Sequence, residues 1–162
     1  MVTITASYVL ALMLHVRAHA KESATPWEDT LPETALAIAD ACNEAPLPGG
    51  GPEDCAASTV IFAWSESRYN PRAVHDHGWG HGLYGTHDDT LGFAVPPDPR
   101  GQTFAFLELL RGSVEVCSAN APDERFAEYA SGSCEKRKGL SRHRALWARR
   151  LLRDHPFEQR DR

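Results

Sequence analysis

Long apolar runs, metal-ligand spacings and surplus positive charge are all missing from this chain of 162 residues. Its longest mostly apolar stretch, Val2 to Leu14, is diluted by Thr3, Thr5 and Ser7 and is too short to cross a bilayer. None of its four cysteines falls in a C-x-x-C pair, the close spacing typical of zinc sites. Internal repeats and low-complexity tracts are absent, which excludes solenoid architectures. The net charge of −5 is small and acidic, so the overall balance does not point to a nucleic-acid partner. What is present is the composition of a soluble globular protein, 42% hydrophobic and 24% charged, at a length that suits one domain.

The N-terminus reads as a targeting segment. Its apolar stretch is followed by Ala18-His19-Ala20, a small-x-small pattern of the signal-peptidase kind, and then by Lys21 and Glu22. Residues 1–20 are therefore expected to be a signal peptide, 27–155 the domain and 156–162 a short tail. The n-region has no Lys or Arg, however, and an apolar first helix of the domain is the alternative. Cysteine usage agrees with export. Cys42, Cys55, Cys117 and Cys134 admit three pairings, and Cys42–Cys55 with Cys117–Cys134 is favoured because each ties a short loop between consecutive helices. Loops of that size are worth about 3 kcal/mol each in the chain-entropy account.

Five helices are expected after the N-terminal segment. Thr30 with Glu33 three residues on is a capping-box pattern, opening a helix to about Asn43 with Leu31, Ala35, Ile38 and Cys42 on one face. Pro46 to Pro52 is a loop. A second helix begins at Pro52, is apolar on nearly every side through Trp64, and must stop near Tyr69 because Asn70 precedes Pro71. Residues 75–99, rich in Gly and Pro, form a long irregular segment with room for short strands. Further helices fit Gln102 to Cys117, with a break at Gly112; Pro122 to Ser131, with Asn120 as cap and Gly132 at its end; and Ser141 to Asp154.

One carboxyl stands out. Glu66 lies at the end of the apolar second helix, with Phe62 and Ala63 on its face. Carboxyls set against apolar surface keep their protons to higher pH, and a protonated carboxyl can donate to a glycosidic oxygen. Residues 66–84 read E-S-R-Y-N-P-R-A-V-H-D-H-G-W-G-H-G-L-Y. This resembles the signature of the soluble lytic transglycosylases, in which Glu-Ser, Asn-Pro-x-Ala and Gly-x-x-Gly-Leu follow in this order. The matching residues are Glu66, Ser67, Asn70, Pro71, Ala73, Val74, Gly82 and Leu83. Tyr129-Ala130-Ser131-Gly132 is similar to that family's Ala-Tyr-Asn-x-Gly element.

The resemblance, which spans roughly Leu36 to Leu152, implies a mainly α, lysozyme-like single domain of the goose-type lysozyme kind, with a Gly-rich irregular segment. It implies a peptidoglycan lytic transglycosylase without cofactor. Glu66 would protonate the bond between N-acetylmuramic acid and N-acetylglucosamine, then act as base while the muramoyl C6 hydroxyl closes a 1,6-anhydro ring. Ser67, Asn70, Gly82, Leu83, Tyr84 and Tyr129 would contact the glycan. A non-catalytic peptidoglycan-binding relative is the alternative. Three positions depart from the pattern: Gly85 stands where Gln is usual, His75 where Ser is common and Ala130 where Asn is common. Should water be the acceptor, Asp76, Asp88 and Asp89 are candidate second carboxylates.

Two further features carry rival readings. His75, His77, His81 and His87, among those aspartates, could supply three zinc ligands, but no H-E-x-x-H spacing accompanies them and no metal is expected. Lys136, Arg137, Lys138, Arg142, Arg144, Arg149, Arg150 and Arg153 place eight positive charges in eighteen residues. An amphipathic helix with a charged outer face is the simpler account, its stripe drawn from Leu140, Trp147, Ala148, Leu151 and Leu152. Weak attraction to anionic wall polymer or membrane is the other. A monomer, with glycan strands as partner and no nucleic acid, completes the expectation.

Overall fold

The computed structural model describes residues 3–20 and 27–157. Seven α-helices and a small antiparallel sheet make up the described residues. Lys21 and Glu22, and the tail beyond Phe157, lie outside them.

Helix α1 (Ala6–His19) begins where the Thr5 side chain accepts the Tyr8 amide at 3.2 Å. Val9, Leu12, Met13 and Val16 are fully buried and pack on α2 and α3. The segment expected as a signal peptide thus packs against the helices of the domain in this structure. Polar groups tie it in as well. The Asn43 side chain accepts the Ile4 N–H and donates to the Ile4 carbonyl, while Tyr8 Oη donates to the His155 carbonyl at 3.0 Å.

Helix α2 (Leu31–Glu44) buries Leu31, Ala35, Ile38 and Cys42, the face that its periodicity marks. The expected capping box is not formed. A 3₁₀ turn, Glu28–Thr30, winds straight into the helix, so Thr30 already has helical backbone angles and its hydroxyl donates back to the Trp27 carbonyl. Helix α3 (Pro52–Ser67) is the central element. Ala56, Ala57, Val60, Ile61, Phe62, Ala63 and Trp64 are all buried, and Asp54 accepts the Gly51 N–H at its start. It stops where expected, with Arg68 and Tyr69 both in the left-handed region ahead of Asn70-Pro71.

Three two-residue strands follow: β1 (Val74–His75), β2 (Gly80–His81) and β3 (Thr86–His87), in the order β1-β2-β3. Pairing sets His75 opposite Gly80 and Gly80 opposite His87. A single turn, α4 (Asp88–Leu91), leads to α5 (Pro99–Val116), which Asp98 caps at the Gly101 amide. Helix α5 runs unbroken through Gly112, where nothing crowds the backbone.

The helix expected over Pro122 to Ser131 is split into a 3₁₀ turn, Pro122–Glu124, and α6 (Ala127–Ser131). Tertiary hydrogen bonds cause the split. Ser113 Oγ donates to the Arg125 carbonyl and Ser141 Oγ accepts the Phe126 amide, using backbone groups that a continuous helix would need. Asn120 caps nothing; it donates to the Cys134 carbonyl. Helix α7 (Lys138–Asp154) then crosses α3.

Both disulfides have the favoured pairing, Cys42–Cys55 between α2 and α3 and Cys117–Cys134 after α5. Such bonds belong to an oxidising, export-type environment. No helix among the described residues is long and apolar enough to cross a membrane.

Two outcomes test this packing. Leu12→Ala should cost about 2–5 kcal/mol in urea denaturation, the range for a filled core site; a protein processed after Ala20 would show no effect. The second concerns pH. Burial, reinforced by His155 and His19, holds the His15 imidazole below its ordinary range. The unfolded chain then takes up a proton that folded His15 resists, so stability should fall as pH drops through about 6.5. His15→Gln should flatten the urea midpoint between pH 8 and pH 5.5.

Candidate active site

The rigid end of α3 delivers Glu66 to a groove of about 550 Å³ whose lining includes Tyr84, Gly85, Tyr129 and Arg144. The Glu66 side chain is 28% exposed, so it is neither loose in solvent nor sealed from a ligand. Its surroundings differ from the expected apolar setting. The Arg144 guanidinium, on α7, forms an ion pair with Glu66 Oε1. Arg144 is 6% exposed, and its Cζ sits 4.5 Å from the centre of the Phe62 ring. Phe62 does share the Glu66 face, but a cation is interleaved there.

Arg144 faces inward because Ser141, Arg144, Ala148 and Leu151, at spacings of three and four, are the buried seam of α7. The same spacing in the sequence was the signal that could have singled it out from the basic run. Most of the other basic side chains in that run are matched locally: Lys138 by Glu135, Arg142 by Glu124, Arg149 by Asp123 and Arg153 by Asp154. The positive stripe is therefore largely neutralised on its own surface.

The other oxygen of Glu66 lies near the bare backbone of Gly85. Gly85 has φ +63°, and a Cβ built there would lie 3.6 Å from Glu66 Oε2. The position where the lytic transglycosylase pattern carries Gln thus holds no side chain, and the His75 ring flanks the same spot, its Cδ2 3.5 Å from where a Cβ would lie.

Several residues expected to touch a glycan instead shape the wall. Ser67 is buried; its Oγ lies 2.9 Å from the Leu83 carbonyl and accepts the Asn70 amide, stitching the strand region to the helix end. Leu83 is fully buried in the core. Gly82 is required by a close approach: at φ +75°, a Cβ there would fall 2.4 Å from Gln102 Oε1. Gln102, 4% exposed, accepts the Leu83 amide and donates to the carbonyls of Pro71 and Pro96. That clamp was not foreseen; a polar residue on the buried face of α5 was its only sequence trace. Asn70 accepts the Arg72 amide and is not among the residues lining the groove.

Tyr84 and Tyr129 do line it, while their rings belong to the core. Tyr84 stacks on Phe106 at 4.1 Å and shares a hydrogen bond with Thr103, and Tyr129 Oη donates to the Tyr84 carbonyl at 2.7 Å. Tyr129 meets Phe62 and Phe106 edge-on. Burial pushes both phenols well above their ordinary range, so both remain neutral donors.

Among the loop aspartates the structure discriminates. Asp76 lines the groove, whereas Asp88 accepts the Val95 amide and neither it nor Asp89 is part of the lining. Glu128, overlooked in the sequence, lines the groove too. Of the four loop histidines, His87 alone does so. His75 approaches the Gly82 carbonyl at 3.3 Å. Among the described residues, no group of three His, Cys, Asp or Glu side chains is placed to share a metal ion.

Compared with models of known families, with curated proteins and with solved structures, the chain matches none.

Arg144→Met should lower stability by about 1–3 kcal/mol. Removing one partner of a buried pair costs about 3–5 kcal/mol, and the groove offers Glu66 some water in compensation. Urea unfolding checks this, and the double variant with Glu66→Gln should recover part of the loss.

Proposed function

We propose that the chain cleaves the glycan strands of peptidoglycan as a lysozyme-like lytic transglycosylase, exported to where those strands lie. The observation that carries this reading is the placement of Glu66. The Glu66 carboxyl, at the end of a buried helix, opens onto a groove that Asp76 and Glu128 also line, with one oxygen held by Arg144 and the other near the bare backbone of Gly85. Cleavage needs such a group fixed at the scissile bond.

In the proposed reaction Glu66, carrying a proton, gives it to the glycosidic oxygen as the bond from the muramoyl anomeric carbon breaks. The resulting carboxylate then removes the proton of the muramoyl C6 hydroxyl, whose oxygen closes the 1,6-anhydro ring. Arg144 supports the step that leaves Glu66 charged, because its guanidinium is already in place for the carboxylate. Tyr84 and Tyr129 hold the wall behind it. The two disulfides suit a protein that works in an oxidising compartment.

The same ion pair favours a second reading, a non-catalytic glycan-binding relative in which Arg144 keeps Glu66 permanently engaged. Incubation with purified sacculi, followed by mass spectrometry of soluble muropeptides, separates the two. The proposal expects 1,6-anhydromuramoyl ends from the wild type and a loss of at least about a hundredfold with Glu66→Gln. Binding to sacculi without release, equal in both proteins, would establish the second reading.

A further inference from the structure

We infer that His87, held by Asp76, is a second acid/base group of the groove, activating a water molecule so that the glycan is also hydrolysed. The inference rests on the cleavage reading above.

His87 follows Gly85 by two residues, on the strand that leads away from Glu66, and its side chain is 39% exposed. Two contacts meet one edge of its ring. Across the β2–β3 pairing lies Gly80, where a Cβ would come 3.3 Å from His87 Cδ2, so the imidazole rests against bare backbone. At the adjoining ring atom, Asp76 Oδ2 is 3.0 Å from His87 Nε2.

The backbone bends unusually to bring that carboxylate there. Asp76, His77 and Gly78 have φ of +49°, +58° and +101°, three consecutive residues in the left-handed region. For the first two this costs roughly 1–2 kcal/mol each. The turn carries Asp76 back over the sheet, where it meets a strand eleven residues on. A surface ion pair alone is worth about 0–1 kcal/mol and would not offset that strain.

The contact also determines the tautomer. A carboxylate only accepts, so a neutral His87 carries its proton on Nε2 and leaves the Nδ1 lone pair free. An imidazole oriented in this way is a general base. Asp76 does not touch the reacting atoms; it is a positioning residue.

The step balances as follows. His87 Nδ1 takes a proton from water as the water oxygen bonds to the anomeric carbon. The glycosidic bond breaks and Glu66 donates its proton to the leaving oxygen. One water is consumed and a free reducing end forms; His87 then releases its proton to solvent while Glu66 regains one. Ring closure by the C6 hydroxyl competes for the same carbon, so the groove yields two products, and their ratio reports on the dyad.

The test is digestion of purified sacculi in ¹⁸O-labelled water, with mass spectrometry of labelled reducing ends against 1,6-anhydro ends. The wild type should release both. His87→Ala should lower the labelled-to-anhydro ratio by at least about tenfold, and Asp76→Asn should lower it less. A variant that merely folds poorly loses both products together and leaves the ratio unchanged. An unchanged ratio in a His87→Ala protein that still releases anhydro ends at the wild-type rate overturns the inference, as does a wild type that forms only anhydro ends. A folded wild type that releases neither end overturns the cleavage reading, and this inference with it.

Discussion

The site is organised around one buried cation. Arg144 fills the seam between α3 and α7, its plane against Phe62 and one amino group on Glu66. Among the described residues its Nε and Nη1 have no hydrogen-bond partner, so Glu66 and the Phe62 ring are what compensate its charge. That dependence runs both ways. Glu66 offsets the charge of the guanidinium buried in the seam of α7, and the guanidinium in turn holds one oxygen of Glu66. Helix packing and the chemistry of the groove therefore share a single electrostatic contact.

Around this contact the wall is built by short polar clamps rather than by regular structure. The sheet has only two residues per strand, too little to hold a shape by itself. Ser67 and Gln102 supply what it lacks, fastening the Leu83 region to α3 and α5. Buried polar groups that satisfy several backbone partners at once are well suited to this, because leaving any of them unmade costs more than the bond contributes. The pattern Glu-Ser, Asn-Pro, Gly-Leu consequently looks different in three dimensions than in one. Of these residues only Glu66 faces the groove; Ser67, Gly82 and Leu83 are the joinery that sets its shape.

Helix α1 adds a different constraint. Four fully buried side chains, the Asn43 clasp on Ile4 and the Tyr8 bond to the end of α7 make residues 4–19 part of the same core as α2 and α3. The contact between His15 and His155, at 2.7 Å, joins α1 to the end of α7, where burial and then His155 hold the His15 imidazole below its ordinary range.

Local chemistry was enough to place much of this molecule. The apolar face of α2, the all-round apolarity of α3 and its stop before Asn70-Pro71 follow from patterns within a few residues of each other, and both disulfides close the short loops expected, between cysteines 13 and 17 residues apart. Glu66 at the head of a groove was legible for the same reason, since the end of α3 is a local event. Features that depend on residues far apart in sequence were decided only by tertiary structure. The Pro122–Ser131 helix broke to feed hydrogen bonds from Ser113 and Ser141, and Arg144 turned inward across 78 residues to meet Glu66. The physical reason is that a buried hydrogen bond or ion pair is worth more than the local propensity it displaces, and its partner is not written nearby.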